Sequence, residues 1–114
     1  MISMVSAVAS SGKLTFTAVR NVPEEYRVES HGILFGYAST KTEDEMKPLL
    51  VLTNNAATKG VSTSRTNNGQ FSININNPVK GVTYFARAYM ILKDKDGNSI
   101  TCYSDNVLSK KAAE

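Results

Sequence analysis

Residues 81–105 read GVTYFARAYMILKDKDGNSITCYSD and are the strongest indicator of the architecture of this chain. A strand that opens with Tyr84 is followed by the pair Asp96-Gly97 and then by a second strand rich in Thr, Ile and Tyr. An Asp-Gly pair between two such runs is a strong β-hairpin signal, because both residue types tolerate positive φ. We therefore predict a long hairpin that is entered through Gly81.

The position of Tyr84 points to a particular class of β fold. In immunoglobulin-like sandwiches, a tyrosine near the start of the penultimate strand forms a corner, and its hydroxyl bonds to the backbone a few residues upstream. We assign Tyr84 this structural role.

Alternating apolar and polar residues predict further strands upstream of the hairpin. Leu14, Phe16 and Ala18 share one face of a strand over residues 13–20, and a first strand places Ile2, Met4, Ser6 and Val8 on one face. The other expected elements are a buried central strand over 31–38, a helical turn within 40–48, a short strand over 49–52, and a hairpin that joins 61–65 to 71–75 through Asn68-Gly69.

Composition is that of an ordinary globular chain. Its 114 residues are 41% hydrophobic and 20% charged, which fits one domain with a sizeable core. The expected fold class is all-β, an antiparallel immunoglobulin-like sandwich of seven to eight strands over residues 1–108, with a polar tail over 109–114. Cys102 is the only cysteine, so no intrachain disulfide forms.

The order of several segments resembles a known family. The segments are KLTFTAVRNVP (13–23), VESHGILFG (28–36), NGQF (68–71), YFARAY (84–89), KDKDGN (93–98) and YSD (103–105). Together they resemble immunoglobulin-like or fibronectin-III-like modules of surface proteins from Gram-positive, Clostridia-type bacteria, and related domains of phage virions. The resemblance implies a non-enzymatic spacer, adhesion or decoration module with no catalytic residues.

The expected location depends on whether the chain is a piece of a longer polypeptide. A module of a larger protein would lie outside the cell or at its surface. A complete chain beginning at Met1 without a secretion signal would suit a phage virion protein, such as a capsid decoration or head-fibre protein. The expected partners are protein neighbours in such an assembly. The net charge of +3 comes from scattered residues, so we expect no nucleic-acid partner, and no run is long enough for membrane insertion.

The turn after the tyrosine-led strand resembles the start of a calcium-binding loop. Asp94, Asp96 and Asn98 have the spacing of the first three oxygen ligands of an EF-hand. The sixth position, where a sharp bend requires Gly, is Ser99, and the flanking segments are strand-like. A hairpin turn explains these residues more simply, so Ca²⁺ is a weak candidate and we expect no cofactor.

Catalytic constellations are weak. His31 is the only histidine, and Ser30 beside it would point to the opposite face of a strand. The carboxylate pairs at 24–25 and 43–45 lie in predicted loops rather than across an apolar pocket. We therefore expect the protein not to be an enzyme.

Aromatic side chains support one alternative function. Tyr26, Tyr37, Tyr89 and Tyr103, with Phe35 and Phe85, are the residues that would build a sugar-stacking platform, although most are expected in the core. Tyr89 and Tyr103 would lie on neighbouring strands as an exposed pair, which makes them the candidate glycan contacts of a carbohydrate-binding module.

Overall fold

Two antiparallel sheets face each other in the computed structural model, which describes residues 1–63 and 67–113. The three-stranded sheet has the order β1-β2-β5, and the five-stranded sheet has the order β4-β3-β6-β7, with β8 also paired to β6. The strands are β1 (Ile2–Ser10), β2 (Lys13–Asn21), β3 (Arg27–Tyr37), β4 (Thr58–Ser62), β5 (Asn68–Asn76), β6 (Thr83–Lys93), β7 (Ser99–Tyr103) and β8 (Leu108–Lys111). The prediction of an all-β chain built from antiparallel sheets is confirmed.

Within residues 1–63 and 67–113, helical structure occurs only in the connection between β3 and β4. It consists of α1 (Glu43–Met46) and a 3-10 helix (Lys47–Leu49). The expected helical turn is therefore present, but the expected strand over 49–52 is wrong, because Pro48 lies in the 3-10 helix and turns follow it. No helix in the described part of the chain is long and apolar enough to span a membrane.

The main core lies between the two sheets. Leu14, Phe16 and Ala18 of β2 are fully buried, as their alternation predicts, and they pack with Ile33 and Met90 of the five-stranded sheet. The expected central strand is also confirmed, since β3 is paired on both sides and is buried on both faces.

The first strand changes face in the middle. Ile2 and Met4 are buried, but a register shift between Met4 and Ser6 inserts one extra residue opposite β2. A bulge of this kind reverses the alternation of the residues that follow it. Val8 is therefore 56% exposed, and Ala7 packs against the core instead of the predicted Val8.

The hairpin predicted around Asn68-Gly69 is wrong. β4 pairs with β3, whereas β5 crosses to the other sheet and pairs with β2, so Asn68 and Gly69 lie inside β5 opposite Asn21 and Arg20. Asn68 Oδ1 accepts a hydrogen bond from the Val22 N–H at 3.1 Å. The predicted strand end at 64–65 and the turn residue at 66 fall outside the described residues.

The predicted polar tail is in part a strand. Residues 108–111 form β8, and its Leu108 lies opposite Ala86 of β6. The Ala112 N–H donates to the Val82 carbonyl at 2.8 Å, and Ala112 is buried. Polarity along 109–111 misled the prediction, because an edge strand exposes one face and needs few apolar residues.

Two basic side chains lie in the core where sequence patterning puts apolar ones. Arg20 is 2% exposed and His31 is fully buried. Phe71 lies between them, with the Arg20 guanidinium 5.6 Å from its ring centroid and the His31 ring in an edge contact at 4.6 Å. Burial lowers the pKa of Arg20 from its ordinary value.

Candidate functional site

A second apolar layer covers the outer face of the five-stranded sheet. Met46, Leu50 and Val107 pack there against Leu34 and Phe85, which point away from the main core. The connection over residues 38–57 therefore lies on the sheet rather than in solvent. One end of the resulting seam stays open.

That opening is a concave surface, and we call it the 38–57 cleft. Its volume is about 630 Å³. It lies where β3 ends and β6 begins. Its walls are mainly apolar and include Phe35, Tyr37, Met46 and Leu49, with the polar side chains of Lys41, Asn54 and Thr58 among them. Apolar clefts with a few polar groups are the common form of small-ligand sites.

Local sequence explains how the wall of the cleft folds. Thr42 and Glu45 form a capping box, in which Thr42 Oγ1 accepts from the Glu45 N–H at 3.2 Å and Glu45 Oε1 accepts from the Thr42 N–H at 2.9 Å. Hydrogen bonding of the Glu45 carboxylate by Thr42, first of all by its backbone N–H, lowers the pKa of Glu45. Asn54 bridges its own loop, since Nδ2 donates to the Leu49 carbonyl and Oδ1 accepts from the Ala56 N–H.

Arg87 attaches the connection to the sheet. Its Nη1 donates to the Lys47 carbonyl at 3.1 Å, its Nε donates to the Ser104 carbonyl at 2.8 Å, and its guanidinium lies 4.9 Å from the Tyr103 ring centroid. Burial lowers the pKa of Arg87, and electrostatic interactions with Tyr103 and then Asp105 oppose that shift. Arg87 was not among the predicted site residues, although a lone arginine within an apolar strand is a visible signal.

The candidate glycan contacts do not form an exposed pair. Tyr89 is 1% exposed, and burial raises the pKa of its hydroxyl. Tyr103 lies opposite Tyr89, as expected, but its hydroxyl accepts a hydrogen bond from the Leu52 N–H at 3.0 Å. The 38–57 connection therefore covers the face of the sheet that these two tyrosines would have to expose in order to bind a sugar.

Tyr37 is the exposed aromatic residue at the cleft. Tyr37 is 66% exposed, and the centroid of its ring lies 5.6 Å from the centroid of the Tyr84 ring. Leu49, another lining residue of the cleft, is 41% exposed. An aromatic ring beside an apolar wall offers the kind of surface on which a planar ligand or the apolar face of a sugar packs.

Tyr84 lies at the base of this region and makes the hydrogen bond expected of a corner residue. Its hydroxyl accepts from the Val79 N–H at 2.9 Å, five residues upstream. Gly81 takes a φ of 76° between them, which a residue with a Cβ rarely adopts.

In the weak calcium candidate, the Asp94 carboxylate accepts hydrogen bonds from the backbone of its own turn. The Asp94 carboxylate accepts from the Asp96 and Asn98 N–H groups, each at 2.9 Å, and these hydrogen bonds lower the pKa of Asp94, with that from Asn98 the largest cause. Gly97 has a φ of 85°, which fits a three-residue hairpin loop ending in a left-handed glycine. Among residues 1–63 and 67–113, no three His, Cys, Asp or Glu side chains form a group that could hold a metal ion.

Tyr37, Leu49, Lys41 and Asn54 meet only because a polar connection folds back onto the sheet. Their spacing in the sequence gives no sign of this. Comparison of the chain with protein-family models, with curated proteins and with solved structures finds no match in any of the three.

Proposed function

We propose that this chain is a non-enzymatic structural and display module of a bacterial surface protein or a phage particle, with an immunoglobulin-like, fibronectin-III-like sandwich. The observation that carries the proposal is the distribution of strands. β1, β2 and β5 lie in one sheet, β3, β4, β6 and β7 lie in the other, and Tyr84 bonds back to the backbone at the start of β6. Modules of this class space, decorate or present loops.

The direction of the chain supports a spacer role. β1 begins opposite the end of β2. β8 ends opposite the start of β6, and β3 also ends there. Phe71 of β5 contacts His31 of β3. Two residues further along, Ile73 lies beside Gly60, which is paired with Ile33 of β3. The residue numbers therefore increase together, so β5 and β3 run in the same direction. The first and last strands therefore start and finish at opposite ends of a body 48 Å long.

Loops gather at the end where β3 begins. Asn67 Nδ2 donates to the Tyr26 carbonyl at 2.9 Å, and the 24–27 segment forms a shallow concavity with residues 93–97. This end presents two connections and the start of β5 side by side. A rigid scaffold that holds several loops together is suited to display.

The location of the native polypeptide tests the proposal. Peptides from residues 1–113 would be sought by mass spectrometry in the cytosolic, envelope, secreted and purified-particle fractions of the native source. Recovery with the envelope, the secreted fraction or the particles is the expected result. Recovery confined to the cytosol would overturn the proposal.

The 38–57 cleft favours a second candidate function, carbohydrate binding. Tyr37 supplies an exposed ring, and Asn54 and Lys41 supply an amide and a charged amine at the same opening. These are the groups that stack on a sugar ring and bond its hydroxyls.

The test of this second function is a titration with surface glycans followed by NMR. Shifts confined to the cleft, and their loss in Tyr37→Ala, would support it. The matched control is Tyr26→Ala at the opposite end of the sandwich. Glycan-induced shifts that survive Tyr37→Ala, or the absence of any shift, would exclude the cleft as a sugar site.

A further inference from the structure

The free edge of β5 differs from the other sheet edges of the described residues. β5 has nine residues, NGQFSININ, with no charge and no proline, and it is the last strand of its sheet. A long, uncharged edge strand presents unpaired backbone groups on which another strand pairs readily.

The other edges carry the features that usually prevent such pairing. On β1, Asn106 bonds both backbone groups of Met4: its Oδ1 accepts from the N–H at 2.9 Å and its Nδ2 donates to the carbonyl at 2.8 Å. A register shift next to Met4 interrupts the same edge. Both features block a regular ladder.

The edges of the five-stranded sheet are short and basic. β4 has five residues and includes the exposed Lys59. The opposite edge is divided between β7, with five residues, and β8, with four, of which the last two are Lys110 and Lys111. Short edge strands and lysines discourage pairing with another chain, so β5 is the one long edge in the described part without such a feature.

The register identifies which groups of β5 are available. The Asn77 N–H donates to the Gly12 carbonyl at 2.9 Å, in line with the β2–β5 register. Hydrogen-bonded pairs alternate in an antiparallel ladder, so Phe71, Ile73 and Ile75 bond towards β2. The backbone N–H and C=O groups of Gln70, Ser72 and Asn74 therefore point to the free edge.

We propose that β5 is a self-association site, which pairs with β5 of a second copy in antiparallel orientation. Full overlap places Ser72 on the two-fold axis, opposite its own copy. Gln70 then lies opposite Asn74 of the other chain, and Phe71 opposite Ile73. These are serine–serine, amide–amide and aromatic–β-branched pairs, which are favourable across strands and leave no like charges opposed.

A second copy fits this edge better than an open-ended stack. Antiparallel pairing uses the β5 edge of both copies and leaves the Asn106-blocked β1 at each end of a continuous six-stranded sheet. The interface is therefore closed and isologous. Ile73 and Ile75 are only half-buried in one copy, and a paired strand would cover more of both. This site is independent of what the module presents or spaces.

Sedimentation equilibrium tests the proposal directly. The expected weight-average mass rises with concentration from 12.4 kDa towards twice that value. A mass that stays at 12.4 kDa up to on the order of 1 mM would overturn the proposal, because an association that weak carries only about 4 kcal/mol.

Charge variants locate the interface. Ser72→Lys and Ser72→Glu each place like charges on the two-fold axis, and each is expected to weaken association by more than about tenfold. An equimolar mixture of the two is expected to form a heterodimer. Val8→Lys is the matched control, since Val8 is exposed at the far edge of the same sheet. Equal weakening by Val8→Lys, or no heterodimer in the mixture, would overturn β5 pairing.

Two variants of Asn74 test the backbone hydrogen bonds of the proposed ladder. Asn74→Ala removes the Thr15 Oγ1–Asn74 Oδ1 hydrogen bond of 2.7 Å but keeps the outward N–H, whereas Asn74→Pro also removes that N–H. We expect the alanine variant to associate and the proline variant to remain a monomer. Association of a folded proline variant would exclude the proposed ladder.

Discussion

Single side chains make contacts in this sandwich that can be removed one at a time, and Tyr84 is the clearest case. Tyr84→Phe deletes the hydroxyl that accepts from the Val79 N–H and leaves that donor unpaired. We expect the free energy of unfolding to fall by about 1–2 kcal/mol, measured by urea denaturation. Tyr37→Phe is the control, because the Tyr37 side chain is 66% exposed, and it should shift the midpoint little. Equal effects of the two variants would contradict the corner role.

Gly32 and Gly36 of β3 provide a second pair of variants. A Cβ at Gly32 would collide with the Gly60 carbonyl oxygen and lie 3.0 Å from Tyr89 Cε1, whereas a Cβ at Gly36 would meet Met46 at an ordinary 3.6 Å. We expect Gly32→Ala to destabilise by about 3 kcal/mol or more and Gly36→Ala by less than about 1 kcal/mol. Thermal denaturation of both variants checks this, and a stable Gly32→Ala would show that β4 does not lie so close.

Secondary-structure elements depend on polar contacts at their ends, and the turn between β6 and β7 is an example. Its hydrogen bonds hold the pKa of Asp94 below the ordinary value, so the ionised carboxylate stabilises the folded chain above the unfolded pKa. That contribution is lost as the pH falls through the folded pKa, which the turn holds below the ordinary value of an aspartate.

The variant Asp94→Asn tests this contribution, and the measurement is the urea midpoint of wild type and variant between pH 7 and pH 2. Wild type should be the more stable at pH 7, and the difference should shrink in acid. Asp96→Asn removes a charge from the same turn but leaves the bonds to the Asp94 carboxylate in place. A difference independent of pH would contradict the role of the ionised Asp94.

The connection over 38–57 is an element whose position depends on Arg87. Arg87→Lys cannot reach the Lys47 and Ser104 carbonyls and cover the Tyr103 ring at once, because lysine lacks the planar fork of the guanidinium. We expect faster hydrogen exchange across 42–57 with little change in β2 and β3, measured by mass spectrometry. Arg27→Lys at the exposed start of β3 is the control. Uniform acceleration over all strands would argue for a global effect instead.

At the scale of the whole molecule, the connection between β7 and β8 is joined to β1 of the other sheet by the paired hydrogen bonds between Asn106 and Met4. Asn106→Ala should lower the free energy of unfolding by about 1–2 kcal/mol. Asn106→Asp should be at least as damaging at neutral pH, because the carboxylate faces the Met4 carbonyl, and it should recover in acid when the group is protonated. Asn74→Ala, which removes one exposed side-chain bond, should cost less. Denaturation at pH 7 and pH 3 separates these outcomes.

Local pattern was sufficient wherever one strand or one turn carries the information. The alternation of Leu14, Phe16 and Ala18 predicts β2, and Asp96-Gly97 predicts the turn between β6 and β7. Local pattern gave a wrong prediction at Val8, because a bulge in β1 reverses which side chains face the core. It was also wrong at Asn68-Gly69, a hairpin signal that lies within β5. In both cases pairing with β2 overrides the local preference.

The sequence by itself determined the all-β class, the central position of β3, the last hairpin and the hydroxyl contact of Tyr84, because these follow from period-two burial and short-range turn chemistry. Only the tertiary structure decided the crossing of β5 to β2, the burial of Tyr89 and the cleft beside Tyr37. Each of these depends on which segments meet after long stretches of chain, and polar connections such as 38–57 carry no periodic signal of where they will pack.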